Sequence, residues 1–364
     1  MGLLAQIVGV GLVILGLLDI YLTVLYHRFG SSVLSLALNK AIWRLFRLVA
    51  RAIPFKGDRL LSHSGSTMIV AIVVVWVSLL ICGFGLIVWP ELGSGIQASE
   101  GQTPTDLATA LYYSGYSLTT LGTGDLVPKT SPYRLLTLLE AALGFSTFTL
   151  TITYLLSVYS ALINRNTLAL SLHHRTASTA DAAELLARLG ANGDLSGVQQ
   201  DISNMARDLM KLLESQHSYP VLLYFHFRES YYTLPRIVLL AMDTVTLIRS
   251  ALNSEKYRSL VGSMAVAELW GGGLQLLVEL SNSLVSKGRP SMSDELERVW
   301  RERYYHAVER LREEGIETPT DLEAGANLYI SLRRKWGPYL AVLTDYMAYE
   351  WSEVAPAERG NFPF

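Results

Sequence analysis

The residues best suited to chemistry are Thr119-Thr120-Leu121-Gly122-Thr123-Gly124-Asp125. Alternating glycines let a backbone take conformations that aim successive carbonyls the same way. Four such strands around one axis would stack rings of oxygens that replace the hydration shell of an alkali cation. One chain supplies one strand, so the spacing predicts an assembly of four copies. No catalytic acid–base pair, activated nucleophile or metal-ligand set accompanies the segment, and His217, His226 and His306 lack metal-ligand spacing, so an enzyme is not expected.

Other elements must hold that strand in place. Thr103-Pro104-Thr105-Asp106 reads as a helix start, with Thr103 as cap, Pro104 in the first turn and Asp106 at the positive end. The helix then runs through Ser117. Its roughly fourteen residues rise only about 21 Å, too short to cross a bilayer, so it is a re-entrant candidate. Its C-terminal end carries negative partial charge, which attracts a cation placed below it. Uncharged runs at Met1–Leu18, Thr67–Pro90 and Ala141–Asn164 are each near or above the roughly 18–20 residues that span a membrane. Of the 364 residues 50% are hydrophobic and 17% charged, and beyond about residue 165 charges recur as in soluble proteins. The N-terminal run has no basic flank and no small-residue cleavage site, so residues 2–27 are expected to stay as a spanning helix. Gln6 stands where a myristoylation signal needs Ser or Thr. Cys82 is the single cysteine and forms no intrachain disulfide.

Charge sets the orientation. Arg28, Lys40, Arg44, Arg47, Arg51, Lys56 and Arg59 lie between the first two spans against Asp58 alone. Glu91, Glu100, Asp106 and Asp125 lie between the second and third against Lys129. The positive-inside rule places the first loop in the cytoplasm and the second outside, with the N-terminus outside and the C-terminal half cytoplasmic. The net charge of −2 says nothing about nucleic acid, and no nucleic-acid partner is expected.

The segment Ala110–Asp125 resembles the pore helix and selectivity filter of the potassium-channel superfamily, in the TTxGxGD form of two-pore-domain and prokaryotic two-transmembrane channels. The resemblance covers about residues 61–165. It implies outer and inner helices at 67–90 and 132–163, and K⁺ bound by the carbonyls of Thr120, Leu121, Gly122 and Thr123, with the Thr120 hydroxyl at the innermost site. Gly124 completes the filter, Asp125 marks its outer mouth, and Tyr112 and Tyr113 stand where the family braces the filter with aromatics. Thr123 departs from the family, which has Tyr or Phe between the two glycines; a lost aromatic wedge opens the alternative of a weakly selective Na⁺/K⁺ pore.

Several residues carry two readings. Gly144 interrupts the inner helix as a gating hinge or as a site of close packing. Thr147, Thr151 and Tyr154 share a face that lines a hydrated cavity or packs on protein, with Val158 near the inner constriction. Glu140, about 12 Å down the inner helix, supports the filter from behind or senses protons, and Asp19 bonds a neighbouring helix. Lys40, Arg44, Arg47 and Arg51 recur at helical spacing beside Ile42, Trp43, Leu45, Phe46 and Leu48, the pattern of an amphipathic helix on anionic lipid of the inner leaflet, with a packed cytoplasmic helix and a voltage sensor as the alternatives. His173-His174-Arg175 form a basic collar in a linker after the inner helix.

The C-terminal half reads as helices at 180–189, 196–217, 233–251, 255–268, 272–286, 293–314 and 320–349, with the run Ile237–Met242 as a buried helix. No nucleotide-binding fingerprint or EF-hand loop appears, so a cytoplasmic gating ligand is left unnamed. The expectation is an all-α membrane protein with three transmembrane helices, a re-entrant pore helix and filter, and an all-helical cytoplasmic domain, assembled as a homotetramer in the plasma membrane. Its parts are 1–28 (first span), 29–60 (interfacial helix), 61–165 (pore module) and 166–364 (helical domain). It needs no cofactor beyond the permeant ion. A non-conducting membrane-anchored scaffold is the alternative from another class.

Overall fold

A computed structural model describes residues 2–26, 32, 34–53, 57–284, 294–356 and 358. The helices are α1 (Gly2–Ile20), α2 (Leu34–Ala52), α3 (Gly57–Leu61), α4 (Ser64–Val88), α5 (Leu107–Leu118), α6 (Ser131–Arg175), α7 (Ala182–Leu189), α8 (Val198–Ser218), α9 (Leu234–Ser250), α10 (Arg258–Val261), α11 (Met264–Leu284), α12 (Asp294–Glu313), α13 (Leu322–Tyr346) and α14 (Trp351–Val354). Strands β1 (Ile96–Ala98) and β2 (Leu126–Pro128) pair antiparallel, Gln97 opposite Val127. The chain forms two compact units, one of Met1–Leu48, His63–Ser160 and His217–Leu222, the other of Val49–Ser62, Ala161–Gln216 and Leu223–Phe364.

In the first unit, small residues decide which helices touch. A Cβ on Gly9 would meet the Gly83 carbonyl oxygen at 2.4 Å, and one on Gly83 would meet Val13 at 2.7 Å. Glycine therefore lets α1 and α4 cross with their backbones close, the usual device where no hydrophobic effect drives helices together. Gly85 does the same for α5, since a Cβ there would meet the Leu111 side chain at 2.8 Å. Val88, Leu92, Ile96, Ala110, Tyr113, Tyr116 and Leu126 form one buried cluster, which fastens α5 and both strands to the end of α4. A turn of π-helix, Tyr21–Leu25, continues α1.

In the second unit α9 is the central element, packed by α7, α11 and α13. Ile237–Met242 are all buried, as their sequence implies. The expected break between 268 and 272 is absent: α11 runs through it, and the chain breaks instead at Gly262–Ser263. Gly272 and Gly273 are contact sites, since a Cβ on Gly273 would meet the Met242 sulfur at 2.3 Å. They keep the helix close to its neighbours instead of ending it.

Four helical stretches among the described residues are long and apolar enough to cross a membrane, Gly2–Leu25, Gly57–Glu91, Ser131–Arg175 and Arg258–Leu284, one more than expected. In the fourth, Val266, Leu269, Leu276, Leu277 and Leu280 are buried in the second unit, so much of its apolar surface serves protein packing. α6 extends well beyond 163 to Arg175, so His173-His174-Arg175 form its last turn and not a linker.

Candidate ion-conduction site

The loop 119–125 hangs from the C-terminus of α5. Asp106 caps that helix, accepting from the Thr109 amide at 3.0 Å and the Thr109 hydroxyl at 2.9 Å. This corrects the expected cap: the Thr103 hydroxyl instead accepts from the Ala98 amide at 2.9 Å and fastens β1. Asp106 wins because it sits immediately before the first helical residue with extended backbone.

Downstream of the helix, the Thr119 amide donates to Gly115 O at 3.1 Å, Thr120 to Ser117 O at 3.1 Å and Leu121 to Tyr116 O at 2.9 Å. The first loop amides are thus turned back onto α5. Thr120 (φ 58°), Gly122 (φ 60°) and Gly124 (φ 77°) take left-handed backbone, while Leu121 and Thr123 between them do not. Alternating handedness rotates each peptide unit so that successive carbonyls face one side. Two of the three left-handed positions are glycine, which adopts this geometry without cost; Thr120 takes it with strain. Residues 119–125 are exposed throughout.

Three contacts fix the far end of the loop. Tyr112 Oη donates to the Thr123 hydroxyl at 3.3 Å, and that hydroxyl donates to Asp125 Oδ1 at 2.6 Å. Asp125 Oδ1 also accepts from the Leu126 amide at 3.0 Å. These bonds hold the Asp125 carboxyl below the usual carboxylate range, the Thr123 bond first among them and outweighing the small burial that opposes it. From the other side, the Ser99 amide donates to Asp125 O at 2.8 Å and the Ser99 hydroxyl to Gly124 O.

The two expected bracing tyrosines diverge. Tyr112 reaches the loop through Thr123. Tyr113 is buried and its hydroxyl pairs with that of Thr137 on α6 at 2.6 Å. A third ring, Tyr116, was not singled out by sequence; it stands edge-on to both Tyr112 and Tyr113 at 5.2 Å and donates to Leu126 O at 2.6 Å. The spacing of Tyr112 and Tyr116, one helical turn apart on α5, is the signal that would have found it.

Glu140 is fully buried behind α5, where Ser114 Oγ donates to its Oε1. Its other oxygen has no partner among the described residues. One turn below, a Cβ on Gly144 would lie 1.8 Å from the Leu118 carbonyl oxygen. α6 is unbroken through this point, and Gly144 is a place of close packing against α5.

The expected cavity face needs correction. Thr147, Tyr154 and Val158 are buried, and the Tyr154 ring stands edge-on to Trp76 at 6.4 Å; Thr151 is half-buried beside them. Packing within the unit takes that face. The exposed face carries Ser146, Thr149 and Thr153, each donating to the carbonyl four residues earlier at 2.8–3.0 Å. Both hydroxyl stripes have helical spacing, so periodicity alone did not separate them.

Asp19 meets a neighbouring helix as expected. It accepts from Trp76 Nε1 at 2.8 Å, the Ser32 hydroxyl at 2.8 Å, the Leu34 and Ser35 amides at 3.1 and 3.3 Å, and the Ser35 hydroxyl. The two amides open α2, so this carboxylate ties the start of the amphipathic helix to α1 and α4. On α2 itself, Ser35, Asn39 and Trp43 are buried. Lys40, Arg44 and Arg51 are exposed and Arg47 is half-buried, while Leu45 and Leu48 are exposed beside them.

Residues 67–161 match the ion channel family. That ion-channel span contains most of α4, all of α5, the loop 119–125 and the first two-thirds of α6. The chain is also 28% identical over 225 residues to the uncharacterized membrane protein YdjJ of Bacillus subtilis strain 168. That match takes in 60% of this chain and 62% of the relative, so it spans less than two thirds of the relative's length. No solved structure matches the chain.

Proposed function

We propose that four copies of this chain form a passive cation channel in which loop 119–125 is the filter and K⁺ the permeant ion. The observation that carries the reading is the alternating backbone handedness at Thr120, Gly122 and Gly124, on a loop exposed along its length. Carbonyls aimed to one side, repeated fourfold, give stacked rings that exchange for an ion's hydration shell. Thr120, Leu121, Gly122 and Thr123 supply the rings, and Asp125 concentrates cations at the outer mouth. Leu138, Phe145, Phe148 and Leu156 on α6 are exposed in the single chain, as surfaces that meet lipid or other copies would be.

The reading favours selectivity despite Thr123. A filter can be held from behind by hydrogen bonds as well as by a wedged ring, and the Tyr112–Thr123–Asp125 chain supplies them. In this arrangement the N-terminus is outside the plasma membrane and the second unit is cytoplasmic, where it assembles or gates the pore. Lys40, Arg44, Arg47 and Arg51 rest on anionic lipid of the inner leaflet.

The test is the reversal potential of purified protein in planar bilayers, with K⁺ on one side and Na⁺ on the other. Reversal at the K⁺ equilibrium potential is the expected result. Reversal near zero with measurable current would replace it with the weakly selective pore. No current across a range of voltage, pH and calcium would favour the non-conducting scaffold.

A further inference from the structure

Within the first unit a partly open cavity of about 30 Å³ lies among the end of α1, the start of α2, α4 and α6, and its walls include Thr23, Ser35, Asn39, Ile72, Tyr154 and Val221. That volume is above the roughly 10–15 Å³ a water needs. Asn39 is 4% exposed, and its Oδ1 has no hydrogen-bond partner among the described residues. A buried acceptor left unsatisfied is costly. The remaining lining supplies the hydroxyls of Thr23, Tyr26, Ser32, Ser35, Tyr154 and Ser218. Among the described residues no charged side chain lines the space, and neutral groups alone would hold a bare cation at a high desolvation cost.

We propose that this cavity is a binding site for one water molecule, which donates to Asn39 Oδ1 and shares a hydrogen bond with the Tyr154 hydroxyl, joining the amphipathic helix to the pore-lining helix. The site adjoins a dry connection between the same elements. Asp19 accepts from the α2 amides and from Trp76, and Trp76 meets the Tyr154 ring edge-on. Tyr154 therefore ends two links that begin on α2, one through Trp76 and one through water. A shift of α2 along the membrane surface would be felt at Tyr154, one turn before Val158.

The test does not require ion flux, so it stands apart from the conduction reading. The full chain in lipid nanodiscs is compared with Asn39→Ala, Tyr154→Phe and the double variant. If one water joins the pair, either substitution breaks the bridge, and the double variant unfolds at the midpoint of the more damaging single variant. Hydrogen exchange at the Leu34 and Ser35 amides rises about tenfold in Tyr154→Phe, the ratio that about one hydrogen bond supports. Losses that add in the double variant, or unchanged exchange, would overturn the proposal. If Asn39→Ala does not fold, Asn39→Ser enters the same cycle. A high-resolution map of the unaltered protein gives a second reading. One water peak within hydrogen-bond distance of Asn39 Oδ1 supports the site, and a dry cavity or a cation with short oxygen contacts refutes it.

Discussion

The two units bury polarity in opposite ways. In the second unit one network of buried charges pairs opposite signs. Asp243 accepts from Tyr329 Oη at 2.6 Å, from Arg303 at 3.2 Å and from Arg333 at 3.4 Å. Arg303 also pairs with Asp181, and Arg333 with Glu358. Burial alone would lower both guanidinium groups, but these carboxylates outweigh it and raise them above their ordinary value. In the first unit the buried acids meet neutral donors, several for Asp19 and Ser114 for Glu140. Its loop 119–125 is exposed along its length. The second unit pairs Asp243, Arg303 and Arg333 within one chain. The first holds an exposed segment in place with neutral hydrogen bonds.

The largest test of that contrast is Asp243→Ala. It removes the carboxylate that Arg303 and Arg333 share, leaving Asp181 and Glu358 to hold two guanidinium groups that are 6% and 0% exposed, and breaking a buried ion pair costs up to about 3–5 kcal/mol. Denaturant unfolding of the purified protein should register a loss of that size. An unchanged midpoint would mean that the network is hydrated and the contrast false.

Gly122→Ala probes the other side. A Cβ there meets nothing within 4 Å, so only the left-handed backbone (φ 60°) resists it, at about 1–2 kcal/mol. The protein should fold with a modest loss and conduct little or nothing in bilayers. Full conductance would remove the loop from the ion path. Tyr112→Phe is smaller, deleting one bond to Thr123 worth about 0.5–1.5 kcal/mol. Its expected signature is a reversal potential moved toward zero with folding retained, and an unmoved potential would assign the hold on the loop to Ser99 and Asp125.

The smallest effect is one of pH in the second unit. Burial holds the His226 imidazole below its ordinary value, against the opposing pull of the Met347 carbonyl and of Asp58. A neutral native histidine contributes its full stability above the unfolded value of about 6.5. That part is lost as pH falls below 6.5 and through the lower folded value, because the unfolded chain then binds more protons. The unfolding midpoint should drop on acidification and flatten in His226→Gln. An identical slope in the variant would assign the pH dependence elsewhere.

Much of the first unit is legible in residue order. The apolar runs, the short helix Leu107–Leu118 and the glycine spacing follow from local chemistry, because membrane helices close their own hydrogen bonds and glycine alone takes left-handed backbone freely. Asp106 as cap was within reach too, since a capping residue sits next to the first helical turn. The strand pair β1–β2 was not, as three residues per strand carry no readable alternation.

What the sequence determined by itself is therefore local: which stretches are apolar, where helices start, and where alternating glycines free the backbone. Tertiary structure decided which of two equally spaced hydroxyl stripes on α6 is buried, and that Gly144 receives the Leu118 carbonyl. It also decided that Gly272 and Gly273 join helices instead of ending one. The reason is the same each time. Periodicity and composition fix a helix and its faces, but which face is covered, and what a missing Cβ makes room for, depend on residues distant in sequence.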